Sequence, residues 1–254
     1  LHCLAMRILI IIIIIIIFKI FNCDNPKTID AGQGMVVMTD KNSSAFFLSR
    51  SSWSKLGSVS LKHVSVGPAG IWGVDQQNEV YKFVASDFVP THGLELKQVD
   101  AGGQGQVIGV AKSDRIHCLT ANKASSIKEI MHWSTSSVTD LLIYISCAPT
   151  GCWGVNAQQS IFFTVNLCLQ ALAATLVIIF TNVLAVNVEV GSDGNVFVVN
   201  RLGLLYERTG ISDHVPQGTD WKKIEMSVKI KHASYDLGYL WLVTEEGFIV
   251  KCTK

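Results

Sequence analysis

The stretch Gly70-Ile71-Trp72-Gly73-Val74 recurs almost unchanged as Gly151-Cys152-Trp153-Gly154-Val155. An apolar segment that ends in proline and a small residue precedes each copy, and a polar turn with a second apolar run follows it. The chain therefore contains an internal repeat, and this repeat decides the fold class.

Four weaker copies share the template of a small residue, a short loop, glycine and an apolar run. They begin at Ala31, Ala101, Val190 and His232. The second glycines of the six copies lie at positions 34, 70, 105, 151, 194 and 238, so the steps are 36, 35, 46, 43 and 44 residues. Periods of this size are typical of propellers and solenoids.

Each copy has the pattern of short strands separated by turns, without helical spacing. In the second copy, residues 61–66, 71–74 and 80–83 are predicted strands, and residues 75–78 are a hairpin turn. Such a small sheet cannot bury both faces alone, whereas radial closure of six sheets covers the faces and removes most edges. We predict an all-β fold, a six-bladed β-propeller over residues 23–254. A two-sheet sandwich is the alternative, but it does not require the repeated phrase.

Composition limits the classes of partner. The 254 residues are 49% hydrophobic, which suits one propeller, and the formal net charge is +1. Lysine and arginine are scattered, without the basic stripe that contacts to phosphate require. Nucleic acid is therefore not an expected partner.

Residues 1–22 have the pattern of a leader and secretory signal peptide. Arg7 precedes an apolar run at 8–18, which is shorter than the roughly 20 residues of a membrane span. We expect a secreted, extracellular protein that lacks these residues, with Asn42 as a glycosylation site on a turn. An uncleaved anchor is the alternative, because residues 20–22 make a poor cleavage site.

Cysteine usage fits an oxidising compartment. With Cys3 set aside as leader, six cysteines remain, an even number. One pair would join the ends of the ring, one flanks a turn of the fourth copy, and the last two are left for each other. The predicted bridges are Cys23–Cys252, Cys147–Cys152 and Cys118–Cys168. A zinc site is the alternative, but paired Cys-x-x-Cys units are missing.

The repeated phrase and the polar turn after it resemble the tectonin repeat, and the order of the copies is similar to that of fish-egg lectins, which are relatives of tachylectin-type proteins. The most specific stretches are residues 99–102, 151–156 and 206–212. The resemblance covers about residues 30–254. It implies a six-bladed propeller of tectonin-type repeats, and a secreted lectin of eggs or innate defence. Its implied ligands are glycans with N-acetylglucosamine-type sugars, or bacterial surface glycans such as lipopolysaccharide.

The fourth copy departs from this family. A tryptophan strand such as Trp53 to Leu61 is expected between repeats, but residues 167–188 are an apolar stretch within an uncharged run from Asp140 to Glu189. The stretch is long enough to span a membrane, although a span would separate blades that must close a ring. We interpret it as a replaced segment and expect an abnormal fourth blade. An irregular buried strand pair and a transmembrane helix are the alternatives.

Candidate sugar ligands are the polar residues of the turns. Their amides and carboxylates can bind hydroxyl and acetamido groups, although the same residue types favour turns for backbone reasons. Trp72, Trp153 and Trp241 are instead expected to fill the gaps between blades. The sugar-binding candidates are Asp75, Gln77, Asn78, Asn156, Gln158, Gln159, Asp193 and Asn195.

No catalytic motif is present in the sequence. His-Glu-x-x-His and Gly-x-Ser-x-Gly are missing, and no carboxylate pair can be nominated. No cofactor is expected; calcium at turn carboxylates stays possible, without an Asp-x-Asp-x-Asp loop to mark it. The sequence predicts a non-enzymatic lectin. The alternatives are a protein-interaction propeller without sugar affinity and a hydrolase with carboxylates in a central channel.

Overall fold

The computed structural model describes residues 2–3, 25–126, 130–165, 167–168 and 176–254, with only the backbone for the first pair. Within these residues, the strands form six four-stranded antiparallel sheets. The inner strand of each sheet contacts the inner strand of the next, and the sixth sheet contacts the first. The predicted six-bladed β-propeller is therefore confirmed.

Blades 1 to 3 follow the chain in order, and we call their strands A to D from the axis outward. The strands of blade 1 are β2 (Pro26–Gly32), β3 (Met35–Asp40), β4 (Ser44–Ser49) and β5 (Ser52–Ser60). Those of blade 2 are β6 (His63–Gly67), β7 (Gly70–Val74), β8 (Val80–Val84) and β9 (Asp87–Pro90). Those of blade 3 are β10 (Leu96–Asp100), β11 (Val107–Ala111), β12 (Ile116–Leu119) and β13 (Ser134–Thr135), with a one-turn helix, Ala121–Ala124, before the last.

Blades 4 to 6 repeat this plan. The strands of blade 4 are β14 (Tyr144–Ala148), β15 (Gly151–Val155), β16 (Ile161–Thr164) and β17 (Val177–Ile179). Those of blade 5 are β18 (Ala185–Val190), β19 (Val196–Asn200), β20 (Leu205–Thr209) and β21 (Asp220–Ile224). Those of blade 6 are β22 (Ile230–Asp236), β23 (Tyr239–Thr244), β24 (Ile249–Thr253) and β1 (His2–Cys3).

Blade 6 takes its outer strand from the other end of the chain. In the pairing of β1 with β24, Cys3 lies opposite Cys252. Residues 2–3 belong to the predicted leader, yet they pair with β24 and complete the last sheet. The rest of the predicted leader, residues 4–22, and the predicted disulfide partner Cys23 lie outside the described residues.

The glycines that revealed the repeat have a common backbone conformation. All six second glycines adopt a positive φ, between 73° and 139°, in the turn between strands A and B. Residues with a side chain rarely adopt this conformation. The repeat visible in the sequence therefore marks one tight turn that recurs in each of the six blades.

The tryptophans pack between blades, as predicted. Trp72, Trp153 and Trp241 lie on strand B of the even-numbered blades and are at most 5% exposed. Each packs near a tryptophan that lies at or next to strand D of the following blade. The three tryptophan pairs are Trp72–Trp133, with ring centroids 6.5 Å apart, Trp153–Trp221, at 6.1 Å, and Trp241–Trp53, which share one hydrophobic cluster.

The apolar stretch at 167–188 contributes ordinary strands where it is described. Strand β17 pairs with β16 and completes blade 4, so our expectation of an abnormal fourth blade is wrong for these residues. Its Val177, Ile178 and Ile179 are β-branched residues that favour strands. Residues 169–175 lie outside the described residues, and among the described ones no helix is long and apolar enough to cross a membrane.

Two of the predicted disulfides are present. Cys118 of blade 3 bonds Cys168 of blade 4, and Cys147 bonds Cys152 across the first turn of blade 4. The first bridge ties two neighbouring blades together, whereas the second closes a hairpin. Cys252 is also disulfide-bonded.

Candidate functional site

The predicted sugar ligands lie on two opposite faces of the ring. In an antiparallel sheet, successive connections alternate between the two ends of the strands. The turns at 75–78 and 156–159 join strands B and C, whereas Asp193 and Asn195 lie in a turn between strands A and B. We call the two ends the B–C face and the A–B face, and the A–B face also carries the C–D links. The eight candidates therefore cannot form one site.

In the B–C turn of blade 2, Asp75 and Asn78 form hydrogen bonds within the protein. The Oδ1 atom of Asp75 accepts hydrogen bonds from the backbone nitrogens of Gln77 (2.9 Å) and Glu79 (2.8 Å). The Oδ1 atom of Asn78 accepts a hydrogen bond from Lys62 Nζ, and the φ of Asn78 is 74°. Gln77 is exposed. These contacts explain Asp75 and Asn78 as turn formers.

The corresponding turn of blade 4 has a similar plan. The Oδ1 atom of Asn156 accepts a hydrogen bond from the Ser160 backbone nitrogen (2.8 Å). Gln159 has a φ of 66°, and its buried Oε1 has no hydrogen-bond partner among the described residues. Gln158 is exposed. Gln158 therefore presents its amide to solvent here, whereas the Gln159 oxygen is buried.

Asp193 and Asn195 belong to a polar network between blades 5 and 6. Asp193 Oδ2 accepts hydrogen bonds from Tyr235 Oη (2.8 Å) and from Asn195 Nδ2 (2.7 Å). Lys254 Nζ donates to Asn195 Oδ1 and lies 2.7 Å from Glu207 Oε1. Burial and the bond to Asp193 raise the pKa of Tyr235. The network presents several donors and acceptors on the A–B face.

The central channel is lined by a ring of six side chains, one from each strand A. Carboxyls of the odd-numbered blades alternate with serines of the even-numbered ones. The members of this ring are Asp30, Ser65, Asp100, Ser146, Glu189 and Ser234.

Hydrogen bonds of the ring cross from blade to blade. Asp30 accepts from the Val66 nitrogen (2.7 Å) and from Ser234 Oγ (3.0 Å), and Asp100 accepts from the Cys147 nitrogen (3.1 Å). Burial raises the pKa of Asp30 to about 6 and the pKa of Asp100 well above its ordinary value. The carboxyls therefore serve to join the blades.

A second set of polar side chains lies two residues before the ring members on the same strands, and so on the same face. Tyr144 Oη donates to Glu189 Oε1 (2.6 Å), and burial raises the pKa of both groups. His63 and His232 are buried, so desolvation lowers the pKa of His63 to about 4 and that of His232 to about 3. Both imidazoles are neutral at pH 7 and cannot supply positive charge.

The mouth of the channel offers little space. The cavity between the carboxyls has a volume of about 40 Å³, room for only a few water molecules. A glycosidase needs its carboxylates to flank a sugar. This narrow channel does not favour the alternative of a hydrolase with carboxylates in the central channel.

A larger cavity lies between blades 6 and 1 on the A–B face, and we call it the blade 6–1 cleft. Its volume is about 320 Å³. It combines apolar and aromatic side chains with three charged groups. Its side chains are those of Ala31, Met35, Val36, Leu48, Arg50, Asp236, Leu237, Tyr239, Trp241 and Lys251.

The aromatic wall of this cleft is partly exposed. Tyr239 is 40% exposed, and Lys251 Nζ lies 3.5 Å from the centre of its ring and 5.0 Å from that of Trp241. Trp241 and Lys251 are opposite each other in the pairing of β23 with β24. Asp236 already accepts hydrogen bonds from the Gly34 nitrogen (3.2 Å) and Ser192 Oγ (2.6 Å). Arg50 and Lys251 therefore give the cleft cationic donors.

Sequence reasoning missed this cleft. Its residues come from both ends of the described chain, and no motif links Arg50 to Lys251. The alternation of Tyr239 and Trp241 on one strand, with Lys251 opposite, was the available signal.

Two further cavities are less suited to a sugar. One of 250 Å³ between blades 3 and 4 is lined by Gln104, Gln106, apolar residues and the Cys147–Cys152 disulfide. One of 350 Å³ on the B–C face is lined by Glu79, Val80 and residues 91–95. Neither contains a tryptophan or tyrosine. Among the described residues, no group of three or more His, Cys, Asp or Glu side chains is placed to hold a metal ion.

Comparison with known proteins gives a family and one relative. The model of the tectonin domain family matches residues 25–245. A fish-egg lectin from Cyprinus carpio is 40% identical over 161 residues, which cover 61% of this chain and 65% of that lectin. The chain thus matches slightly less than two thirds of the length of this relative.

Solved structures share the fold at low sequence identity. The β-propeller domain of Cps50 (Swd1) from Myceliophteria thermophila has a TM-score of 0.63 at 9% identity, covering 92% of this chain and 97% of that one. YCF48 from Cyanidioschyzon merolae has a TM-score of 0.57 at 12% identity, covering 86% and 79%. These similarities show the propeller fold alone.

Proposed function

Because this chain belongs to the tectonin family, we propose that it is a carbohydrate-binding lectin that acts without catalysis. Its ligands are N-acetylated sugars or bacterial surface glycans such as lipopolysaccharide, in innate defence or in the egg. The relative with 40% identity is a fish-egg lectin, which supports carbohydrate as the class of ligand.

The observation that carries this proposal is the blade 6–1 cleft. A sugar ring has apolar C–H faces and a polar rim, so it needs an aromatic surface beside hydrogen-bonding groups. Tyr239 offers the exposed aromatic surface, while Arg50 and Lys251 offer donors. The candidates on the B–C face, such as Gln77 and Gln158, remain predicted additional contacts.

Affinity chromatography tests the proposal. The protein should be retained on N-acetylglucosamine-agarose or on immobilised lipopolysaccharide, and free N-acetylglucosamine should elute it from the former. Passage through both resins without retention, by protein with native circular dichroism, would reject the lectin proposal.

Secretion is part of the same proposal. The disulfides fit an oxidising compartment, and Asn42 is exposed on the B–C face, away from the cleft. Expression in a secretory cell line should give protein in the medium with a mobility shift on removal of N-glycans. Asn42→Gln should abolish that shift; a shift that persists in this variant would contradict the assignment of Asn42.

A protein-interaction propeller without sugar affinity is the second candidate. Exposed apolar side chains at the outer edge of blade 4 favour it: Val177 and Ile178 are nearly half exposed, and Phe180 is 92% exposed. Retention on the sugar resins, with elution by free sugar, would reject this candidate.

A further inference from the structure

We infer that the B–C face binds the surface of a lipid bilayer that carries anionic headgroups, with apolar loop residues of blades 4 and 5 inserted among the lipids. The blade 6–1 cleft lies on the opposite face, so this inference goes beyond the proposed sugar binding and does not depend on it. Two features carry it: a continuous patch of exposed apolar side chains, and a group of lysines that the fold brings together at the mouth of the channel.

Large apolar side chains are exposed on the loops of the B–C face in blades 4 to 6. This face carries the B–C turns and the links from strand D of one blade to strand A of the next. Phe180 and Leu184 lie in the link from blade 4 to blade 5, and Leu202 lies in the B–C turn of blade 5. Val228 and Phe248 lie in the next link and the next turn. Phe180 is 92% exposed, and the other four are between 38% and 61% exposed. We call these five side chains the B–C apolar patch.

The loops of the B–C apolar patch are joined by backbone contacts. Ala185, next to Leu184, pairs with Asn200 at the start of the turn of blade 5. The Ile230 nitrogen donates to the Gly203 carbonyl oxygen (2.9 Å), which joins that turn to the link into blade 6. This link contacts the B–C turn of blade 6 through a further backbone hydrogen bond of 2.9 Å. The patch is therefore continuous across three blades.

The centre of the patch contains little charge. The link at 180–184 belongs to the uncharged run of the sequence, and Arg201 is the only charged residue of the turn at 201–204. Acidic side chains occur at the far end of the patch, where Glu245 and Glu246 lie in the turn of blade 6. Insertion into lipid is therefore centred on blades 4 and 5.

The patch suits a lipid surface better than a protein partner. Single exposed apolar residues are common on proteins, but a continuous patch marks an interaction surface. These side chains project from four separate loops, and lipids can surround them without a matching shape. The predicted glycosylation site Asn42 belongs to blade 1, across the ring from blade 4, so a glycan there leaves the patch uncovered.

Lysines lie around the channel mouth on the same face. The position three residues before each member of the channel ring is at or next to the start of strand A, at the B–C end of the strand. In blades 4 and 5 this position is apolar, whereas in the other four blades it is lysine. These lysines are Lys27, Lys62, Lys97 and Lys231. Burial lowers the pKa of Lys62, and the charges of three neighbouring lysines lower it further, although Asp75 acts in the opposite direction. The fold thus concentrates positive charge that is scattered in the sequence.

Some of this charge has no partner within the protein. Lys97 forms an ion pair with Asp114, and Lys62 donates to Asn78 Oδ1. Lys231 is exposed and makes no hydrogen bond or ion pair with the described residues. Anionic headgroups attract lysines near a bilayer surface, while the acyl region accepts apolar side chains. A bilayer with anionic headgroups therefore complements both halves of the B–C face.

Sedimentation with vesicles that contain no glycan tests the inference. The protein should bind vesicles of equal parts phosphatidylcholine and phosphatidylglycerol, and should bind phosphatidylcholine alone more weakly. Leu202→Ser should weaken binding about ten-fold, because a buried leucine side chain contributes at least this factor. Leu237→Ser is the matched control: this leucine is equally exposed, but it lies in a turn of the A–B face, and the variant should bind like the unmodified protein.

The contribution of the lysines is tested separately. Lys231→Gln should weaken binding to the mixed vesicles about five-fold, the effect of one basic residue near an anionic surface. Lys55→Gln changes an exposed lysine on the outer strand of blade 1 and should have no effect. Equal binding of the unmodified protein to both kinds of vesicle would overturn the role of anionic headgroups.

Insertion of the loops is measured with a fluorescent side chain. In Phe180→Trp, lipids with brominated acyl chains should quench more fluorescence than in the unmodified protein, whereas Leu237→Trp should show no additional quenching. Folded protein that does not bind the mixed vesicles would overturn the inference, as would equal losses for Leu202→Ser and Leu237→Ser. Self-association that Phe180→Ser abolishes, without vesicle binding, would assign the patch to a second copy instead. Retention on sugar resins is independent of each of these results, so the lectin proposal stands or fails separately.

Discussion

Individual glycines of the turns between strands A and B are held by close contacts between neighbouring blades. A Cβ atom on Gly67 would lie 2.1 Å from the carbonyl oxygen of Ala101 in the next blade. By contrast, a Cβ atom on Gly103 would have no neighbour closer than 3.7 Å. The backbones of blades 2 and 3 therefore approach too closely at Gly67 to leave room for a side chain.

Gly67→Ala should lower the free energy of unfolding by about 2 kcal/mol or more, since the backbone of two blades must separate. Chemical denaturation measured by tryptophan fluorescence would give the value. Gly103→Ala is the matched control and should change the stability by less than about 0.5 kcal/mol. Equal effects of the two substitutions would contradict the contact argument.

Single ionisable groups of the channel make stability depend on pH. Burial raises the pKa of Glu189 well above its ordinary value of 4.5, so the folded protein holds a proton that the unfolded chain releases. The contribution of the Glu189 carboxyl to the free energy of unfolding is fully present below pH 4.5 and is lost as the pH rises through the pKa of the folded protein. Asp30, with a pKa of about 6, acts in the same direction.

Glu189→Gln should therefore raise the thermal midpoint at pH 8 and leave it nearly unchanged at pH 4. The amide copies the shape of the protonated carboxyl and removes its ionisation. Scanning calorimetry of both proteins at the two pH values would measure the difference. A variant that is less stable than the unmodified protein at pH 8 would show that the ionised carboxylate is needed.

Among the larger elements, the three tryptophan pairs join even-numbered blades to the odd-numbered blades that follow. Each pair fills a gap between two sheets, and the sheets are too small to bury a core alone. The disulfide between Cys118 and Cys168 adds a covalent link between blades 3 and 4. The sheets are thus stabilised mainly at their boundaries.

Trp153→Ala should destabilise the protein by about 3–5 kcal/mol, because it removes a side chain that is 1% exposed and packs on Trp221. Urea unfolding would measure the loss. Leu237→Ala removes a side chain that is 62% exposed and should cost less than about 0.5 kcal/mol. A loss of less than about 1 kcal/mol for Trp153→Ala would contradict the packing role.

The two disulfides should differ in their contribution to stability. Cys118–Cys168 spans a sequence separation of 50 and Cys147–Cys152 one of 5. Loop-closure entropy predicts a loss of about 4 kcal/mol when the first is replaced by two alanines and about 2 kcal/mol for the second. Thermal unfolding of the two double variants would rank them, and the reverse order would contradict the entropic account.

At the scale of the whole molecule, the ring could be predicted from the sequence, because each blade repeats one turn with glycine at a position of positive φ. The role of the tryptophans could also be predicted, since Trp72, Trp153 and Trp241 recur at equivalent positions. The turn residues were a weaker guide: Asp75 and Asn156 bond their own turns, as such residues often do.

The cleft itself could not be predicted from a local pattern. It depends on the link between β4 and β5 of blade 1, which is only two residues long. It also depends on ring closure, which brings Arg50 and Lys251 to one cavity. Such relations become visible only when all six blades are in place.

A crystal structure of the chain with N-acetylglucosamine is the most direct measurement of the central claim. We predict sugar density in the blade 6–1 cleft, with the sugar beside the Tyr239 ring and its polar groups within hydrogen-bonding distance of Arg50 or Lys251. Sugar bound elsewhere on the ring, with the blade 6–1 cleft empty, would contradict it.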